Sequence, residues 1–120
     1  LSHLHYWNVR LTRKADKKEV IEAFQTSTRI NLINYSDGLV SNNTIKEKYL
    51  DMGRPWGDMY EVALWQDMLK VEGDELYYAY VVDNQAIVIP ETIDAIRALT
   101  GIEKSAVSSI KKTNESLGII

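Results

Sequence analysis

Residues 60–82 read YEVALWQDMLKVEGDELYYAYVV, and this stretch decides the fold. Its two arms, residues 60–71 and 75–82, are rich in aromatic and aliphatic side chains, the composition of strands that pack against a core. Between them Glu72, Gly73 and Asp74 supply the positive-φ position that a tight hairpin demands. The stretch therefore predicts an antiparallel hairpin.

Upstream, LHYWNVRL at residues 4–11 alternates, with His3, His5, Trp7, Val9 and Leu11 on one side and Leu4, Tyr6, Asn8 and Arg10 on the other. That is a strand. Asp16 followed by Glu19 resembles a capping box, and Val20, Ile21 and Phe24 recur at helical spacing, which predicts a helix of about three turns. Ile30, Leu32, Ile33 and Tyr35 then form an apolar strand ending at the turn residues Ser36, Asp37 and Gly38. Asn42 or Asn43 caps a second helix carrying Ile45, Tyr49, Leu50 and Met52, with Gly53 as its stop and residues 54–57 as a loop.

Downstream of the hairpin, Pro90 suits the first turn of a helix carrying Ile93, Ile96, Arg97 and Leu99, and Gly101 stands just past its end. Residues 105–113 predict one more short helix with Val107 and Ile110 as its apolar contacts. The order of elements indicates an α+β fold: a mostly antiparallel sheet with helices packed on one face.

Composition narrows the function classes. A chain of 120 residues makes one domain, burying about 65–70% of its unfolded surface. Its 45% hydrophobic content holds no run near the roughly 18 apolar residues of a membrane helix, so no membrane partner is expected. A net charge of -3 argues against a nucleic-acid partner, since Lys46, Lys48, Arg54, Lys104, Lys111 and Lys112 are interspersed with acids as on solvated faces. Tyr77, Tyr78 and Tyr80 with Trp56 and Trp65 read as sheet packing rather than as base-stacking platforms. The absence of cysteine removes disulfides and any thiol nucleophile from these residues. His3 and His5, at i and i+2, can converge on one ion, but no third ligand neighbours them in sequence and no metal is expected. A first residue Leu1 running straight into a strand reads as a piece with sequence missing upstream.

Two segments carry a resemblance. VIPETIDAIRAL at residues 88–99, followed by IKKTNESLGI at residues 110–119, resembles the carboxy-terminal signature of the archaeal-type glyceraldehyde-3-phosphate dehydrogenases. The similarity continues through MYEVALWQDMLKVEGDELYYAYVV at residues 59–82 and through the strand that begins Ser2, His3, Leu4, His5. The resemblance implies that residues 1–88 are part of a catalytic domain, and that the helices of residues 89–120 pack on a nucleotide-binding domain outside this chain. The family's glycine-rich nucleotide loop and its Ser-Cys-Asn-Thr-Thr run have no match here.

The resemblance also implies site residues. The family places its catalytic histidine in a His-x-His strand, and the second histidine corresponds to His5, with His3 the competing choice. Aldehyde oxidation in that family needs a thiolate to attack the aldehyde and a base to take the proton as hydride leaves for the nicotinamide. Imidazole, with an ordinary pKa of about 6.5, suits the base. A glutamine in the family's His-Gln-Glu run contacts the nicotinamide; here the run is Asp83, Asn84, Gln85, so Asn84 keeps an amide one methylene shorter.

The expectation for the parent protein is thus an NAD- or NADP-dependent, phosphorylating dehydrogenase of glycolysis and gluconeogenesis. Its substrates are glyceraldehyde 3-phosphate and inorganic phosphate, its assembly a homotetramer through the catalytic-domain sheets, and its location cytoplasmic. The isolated chain is expected to be inactive. The alternative is a free-standing, non-catalytic interaction module derived from that domain, and the coding sequence just upstream of Leu1 separates the two.

Overall fold

A computed structural model describes residues 2–119. Strand β1 (Ser2–Arg10) leads into helix α1 (Lys17–Gln25), strand β2 (Ile30–Ile33) and helix α2 (Asn42–Asp51). Strands β3 (Val62–Trp65), β4 (Lys70–Glu72) and β5 (Glu75–Asp83) follow, then helices α3 (Val88–Thr100) and α4 (Ala106–Leu117). The α+β class matches the sequence reading.

The sheet order is β1-β5-β3-β2, with β4 also on β5. β5 pairs antiparallel with β1, β3 and β4, whereas β2 and β3 run parallel, so the sheet is mixed rather than mostly antiparallel. Since β5 runs against both β1 and β3, the strands β1, β2 and β3 all point one way. The connections β1–α1–β2 and β2–α2–β3 are therefore both crossovers between parallel strands. The first travels from the β1 edge to the β2 edge and the second travels back. Crossovers of one hand that reverse direction must lie on opposite faces of the sheet.

This corrects the expectation of helices on one face. Val20 on α1 packs with Leu64, Leu69 and Leu76 on one side of the sheet, joined by Phe24, Tyr78 and Tyr80. Ile45 and Tyr49 on α2 pack with Ile33, Ala63, Trp65, Ala79 and Val81 on the other. Each fully buried aliphatic side chain of this kind contributes about 1.5–3 kcal/mol. The polar atoms that enter the core are matched: Trp65 Nε1 donates to the Leu39 carbonyl at 2.6 Å, and Asn31 Nδ2 donates to Tyr49 Oη at 3.2 Å.

The hairpin forms, but its first arm is broken. Gly73 has φ of 66° and turns the chain between Glu72 and Glu75, which face one another. Continuing the β4–β5 register would set Leu64 opposite Asp83, yet Leu64 sits opposite Tyr80. The extra residues leave the ladder between Trp65 and Lys70, where the chain turns and Leu69 N donates to the Gln66 carbonyl.

The helix starts differ in detail from the reading. Asp16 caps α1 by accepting from Glu19 N at 2.9 Å, as its spacing predicts. The cap of α2 is Ser41 rather than Asn42 or Asn43: Ser41 Oγ accepts from Thr44 N, and Thr44 Oγ1 accepts from Ser41 N. Helix α4 runs on past residue 113 to Leu117 and ends at Gly118 in the left-handed conformation.

Helices α3 and α4 join each other through polar groups, which the apolar spacing did not predict. Asp94 Oδ1 accepts from Ser109 Oγ at 2.6 Å and from Thr113 Oγ1 at 2.7 Å. Val107, expected as an apolar contact, is exposed, as are Ile96, Leu99 and Ile102. Among the described residues no helix is long and apolar enough to cross a membrane.

Candidate active site

β1 is an edge strand, and its alternation sets His3, His5 and Trp7 on the α1 side of the sheet, opposite Val82, Tyr80 and Tyr78 of β5. The His5 ring lies over the Tyr80 ring, with centroids 5.0 Å apart and planes 13° from parallel. Tyr80 is itself held, since its hydroxyl accepts from Trp7 Nε1 at 3.1 Å and its ring stacks on Tyr78. His5 is half-buried on this aromatic platform, and among the described residues neither ring nitrogen has a hydrogen-bond partner. A side chain with one plane fixed by stacking and both nitrogens open can accept a proton from a reactant brought to the sheet edge.

His3 is exposed, with its ring centroid 6.2 Å from that of His5. Among the described residues no third imidazole or carboxylate joins the two in a metal-ligating group.

Asn84 stands in the exposed turn that follows β5. Asp83, the last residue of β5, faces Ser2 across the ladder, so Asn84 and the histidines occupy the same end of the sheet. His5 stands opposite Tyr80, three residue pairs, or about 10 Å, along the ladder from Asp83, so the two residues selected from the sequence share an end of the sheet without touching. Asp83 itself is buried and wholly engaged: Oδ1 accepts from Gln85 N at 3.0 Å and Ala86 N at 3.2 Å, and Oδ2 accepts from Lys46 Nζ at 2.5 Å. Burial alone would push its carboxyl upward, but the Lys46 ammonium and the two backbone amides outweigh it and hold it below the usual carboxylate range.

Two of the cations assigned to solvated faces are not there. Lys46 is drawn into the pair with Asp83, and Arg54 is buried against Glu61 in a bidentate pair at 2.5 and 2.6 Å. The Arg54 guanidinium lies 5.0 Å from the ring centroids of both Tyr49 and Tyr60, and donates to the Gly118 carbonyl at 3.0 Å. A signal for this was present in the sequence: Glu61 sits among Met59, Tyr60, Val62 and Ala63, where a carboxylate needs a cation.

Known proteins sort this arrangement. Glyceraldehyde-3-phosphate dehydrogenase from Methanobrevibacter smithii is 37% identical over 120 residues, that from Pyrococcus abyssi 38% and that from Methanopyrus kandleri 36%. The chain matches the archaeal-type glyceraldehyde-3-phosphate dehydrogenases over its whole length. It spans 36% of the length of the first two of these dehydrogenases and 34% of the third. No family model matches the chain. The resemblance drawn from residues 2–5, 59–82, 88–99 and 110–119 is therefore met by similarity over all 120 residues.

Proposed function

We propose that this chain is the carboxy-terminal part of a phosphorylating, NAD- or NADP-dependent glyceraldehyde-3-phosphate dehydrogenase of glycolysis and gluconeogenesis, with His5 as the general base. The observation that carries the proposal is the unbroken similarity of all 120 residues to dehydrogenases of that name. The open, stacked imidazole of His5 supports its part in it.

In this reading a thiol outside these residues attacks the aldehyde of glyceraldehyde 3-phosphate to give a thiohemiacetal. A nicotinamide held beside Asn84 would supply the hydride acceptor. His5 takes the hydroxyl proton of the thiohemiacetal as the C–H bond breaks, leaving a thioester. Inorganic phosphate then attacks the thioester, releasing the acyl phosphate and the thiol. Asn84 would offer its amide to the nicotinamide; its side chain is exposed and, among the described residues, makes no hydrogen bond, which fits such a contact.

Residues 1–88 then form part of the catalytic domain, and α3 and α4 dock on a nucleotide-binding domain. The outward-facing Ile96, Leu99, Ile102 and Val107 suit that docking. A cytoplasmic homotetramer is the matching assembly.

The test uses the full-length protein. Reduction of the cofactor should require glyceraldehyde 3-phosphate and phosphate together, and His5→Asn should slow the single-turnover hydride step by about 100-fold or more. An unchanged hydride step in His5→Asn removes that residue from the mechanism. The isolated chain, which lacks the thiol, should show no turnover.

A further inference from the structure

The turn that carries Asn84 is tied down from beneath. Asp83 closes it three times: Oδ1 takes the amides of Gln85 and Ala86, and its carbonyl takes the amide of Ile87 at 3.0 Å. Ala86 is buried beside Tyr60 and Ile119, which pins the far side of the turn. Asn84 cannot shift without disturbing these bonds.

Lys46 extends the anchor to the core. It lies on α2 beside Ile45 and three residues before Tyr49, both fully buried, so the helix that delivers its ammonium is fixed by packing. The Asp83 side chain is 3% exposed and that of Lys46 28%. A carboxylate so deeply placed loses much hydration, and an apolar pair of similar volume would be at least as stable in many such sites. The pair sits at the end of the central strand, beside the segment that runs from the sheet into α3.

We propose that Lys46 and Asp83 are a positioning pair that holds the Asn84 amide in register with the bound nicotinamide, an inference that rests on Asn84 being the cofactor contact. Lys46 fixes the rotamer of Asp83, Asp83 fixes the backbone of the turn, and the turn fixes the Cα from which the Asn84 amide reaches out. Neither Lys46 nor Asp83 touches the cofactor.

The experiment compares Lys46→Gln, Lys46→Arg, Asn84→Ala and the double variant Lys46→Gln/Asn84→Ala in the full-length dehydrogenase. Loss of one well-placed hydrogen bond predicts a rise of about three- to tenfold in cofactor KM for Lys46→Gln, with kcat within about twofold. Lys46→Arg should recover most of the loss. On the Asn84→Ala background Lys46→Gln should add no further rise, because the positioned group has gone. A KM rise that persists in full on that background overturns the proposal, as does an unchanged KM in Lys46→Gln when Asn84→Ala raises it. If Asn84→Ala leaves cofactor KM unchanged, the assignment of Asn84 itself fails and the proposal falls with it. Should Lys46→Gln fail to accumulate as folded protein, Asp83→Asn reads the same coupling from the other partner.

Discussion

Two polar regions of this molecule are built on opposite principles. Around Arg54 and Arg29 the guanidinium groups are engaged: Arg54 is locked to Glu61 and Gly118, and Arg29 reaches Asn114 at 3.0 Å, Glu91 at 2.6 Å and Asp94 at 2.6 Å. Along β1, His5 is held only by its ring face, and its nitrogens are open among the described residues. The first region spends its hydrogen-bonding capacity on holding α3 and α4 to the sheet. The second leaves that capacity unused among the described residues. A charged group in a fold is thus informative less by its type than by whether its bonds are already made.

The contrast is sharpest at Glu61. Replacing it with Gln leaves the Arg54 guanidinium buried without its counter-charge, and should cost about 3–5 kcal/mol in urea unfolding. A cost near zero would mean that the pair is no anchor. Arg29→Met removes three hydrogen bonds to charged or amide partners at a site that is partly solvated. It should cost about 2–3 kcal/mol and raise amide exchange in α3 and α4 before that in β5.

Asp83, paired with Lys46, makes the comparison depend on pH. Its folded pKa is depressed, so its stabilising contribution is present above the unfolded value of about 3.9 and is lost as pH falls through the folded value. Asp83→Asn should therefore lower stability near neutral pH and flatten the loss of stability below about pH 4, followed by thermal unfolding across that range. The smallest effect is expected at His5. His5→Asn should change unfolding stability by no more than about 0.5 kcal/mol, even as the hydride step collapses in the full-length protein. A large loss of stability there would move His5 into the structural region.

Much of this arrangement was legible in the sequence. The alternation of residues 4–11 placed His3, His5 and Trp7 on one side of a strand, and the register of β1 on β5 agrees. Gly73 marked the hairpin and Asp16 the start of α1, because both act within a few residues. The interruption of residues 60–71 was not legible, since an apolar run reads as one strand whether or not its middle leaves the ladder. Ile96, Leu99 and Val107 on α3 and α4 have the spacing of a packed stripe and are exposed here, because spacing cannot say which neighbour the stripe meets.

The sequence by itself determined the start of α1 at Asp16, the hairpin turn at Gly73, that the class is α+β, that no cysteine lies in the chain, and which dehydrogenases its segments resemble. Those properties are local or compositional, set by caps, turns and periodicity. The tertiary structure alone decided that β2 and β3 run parallel, that α1 and α2 cover opposite faces, and that Lys46 meets Asp83 while Arg54 meets Glu61. These depend on the order of strands in space and on which buried charges end up facing each other, and no periodicity within a single element encodes either.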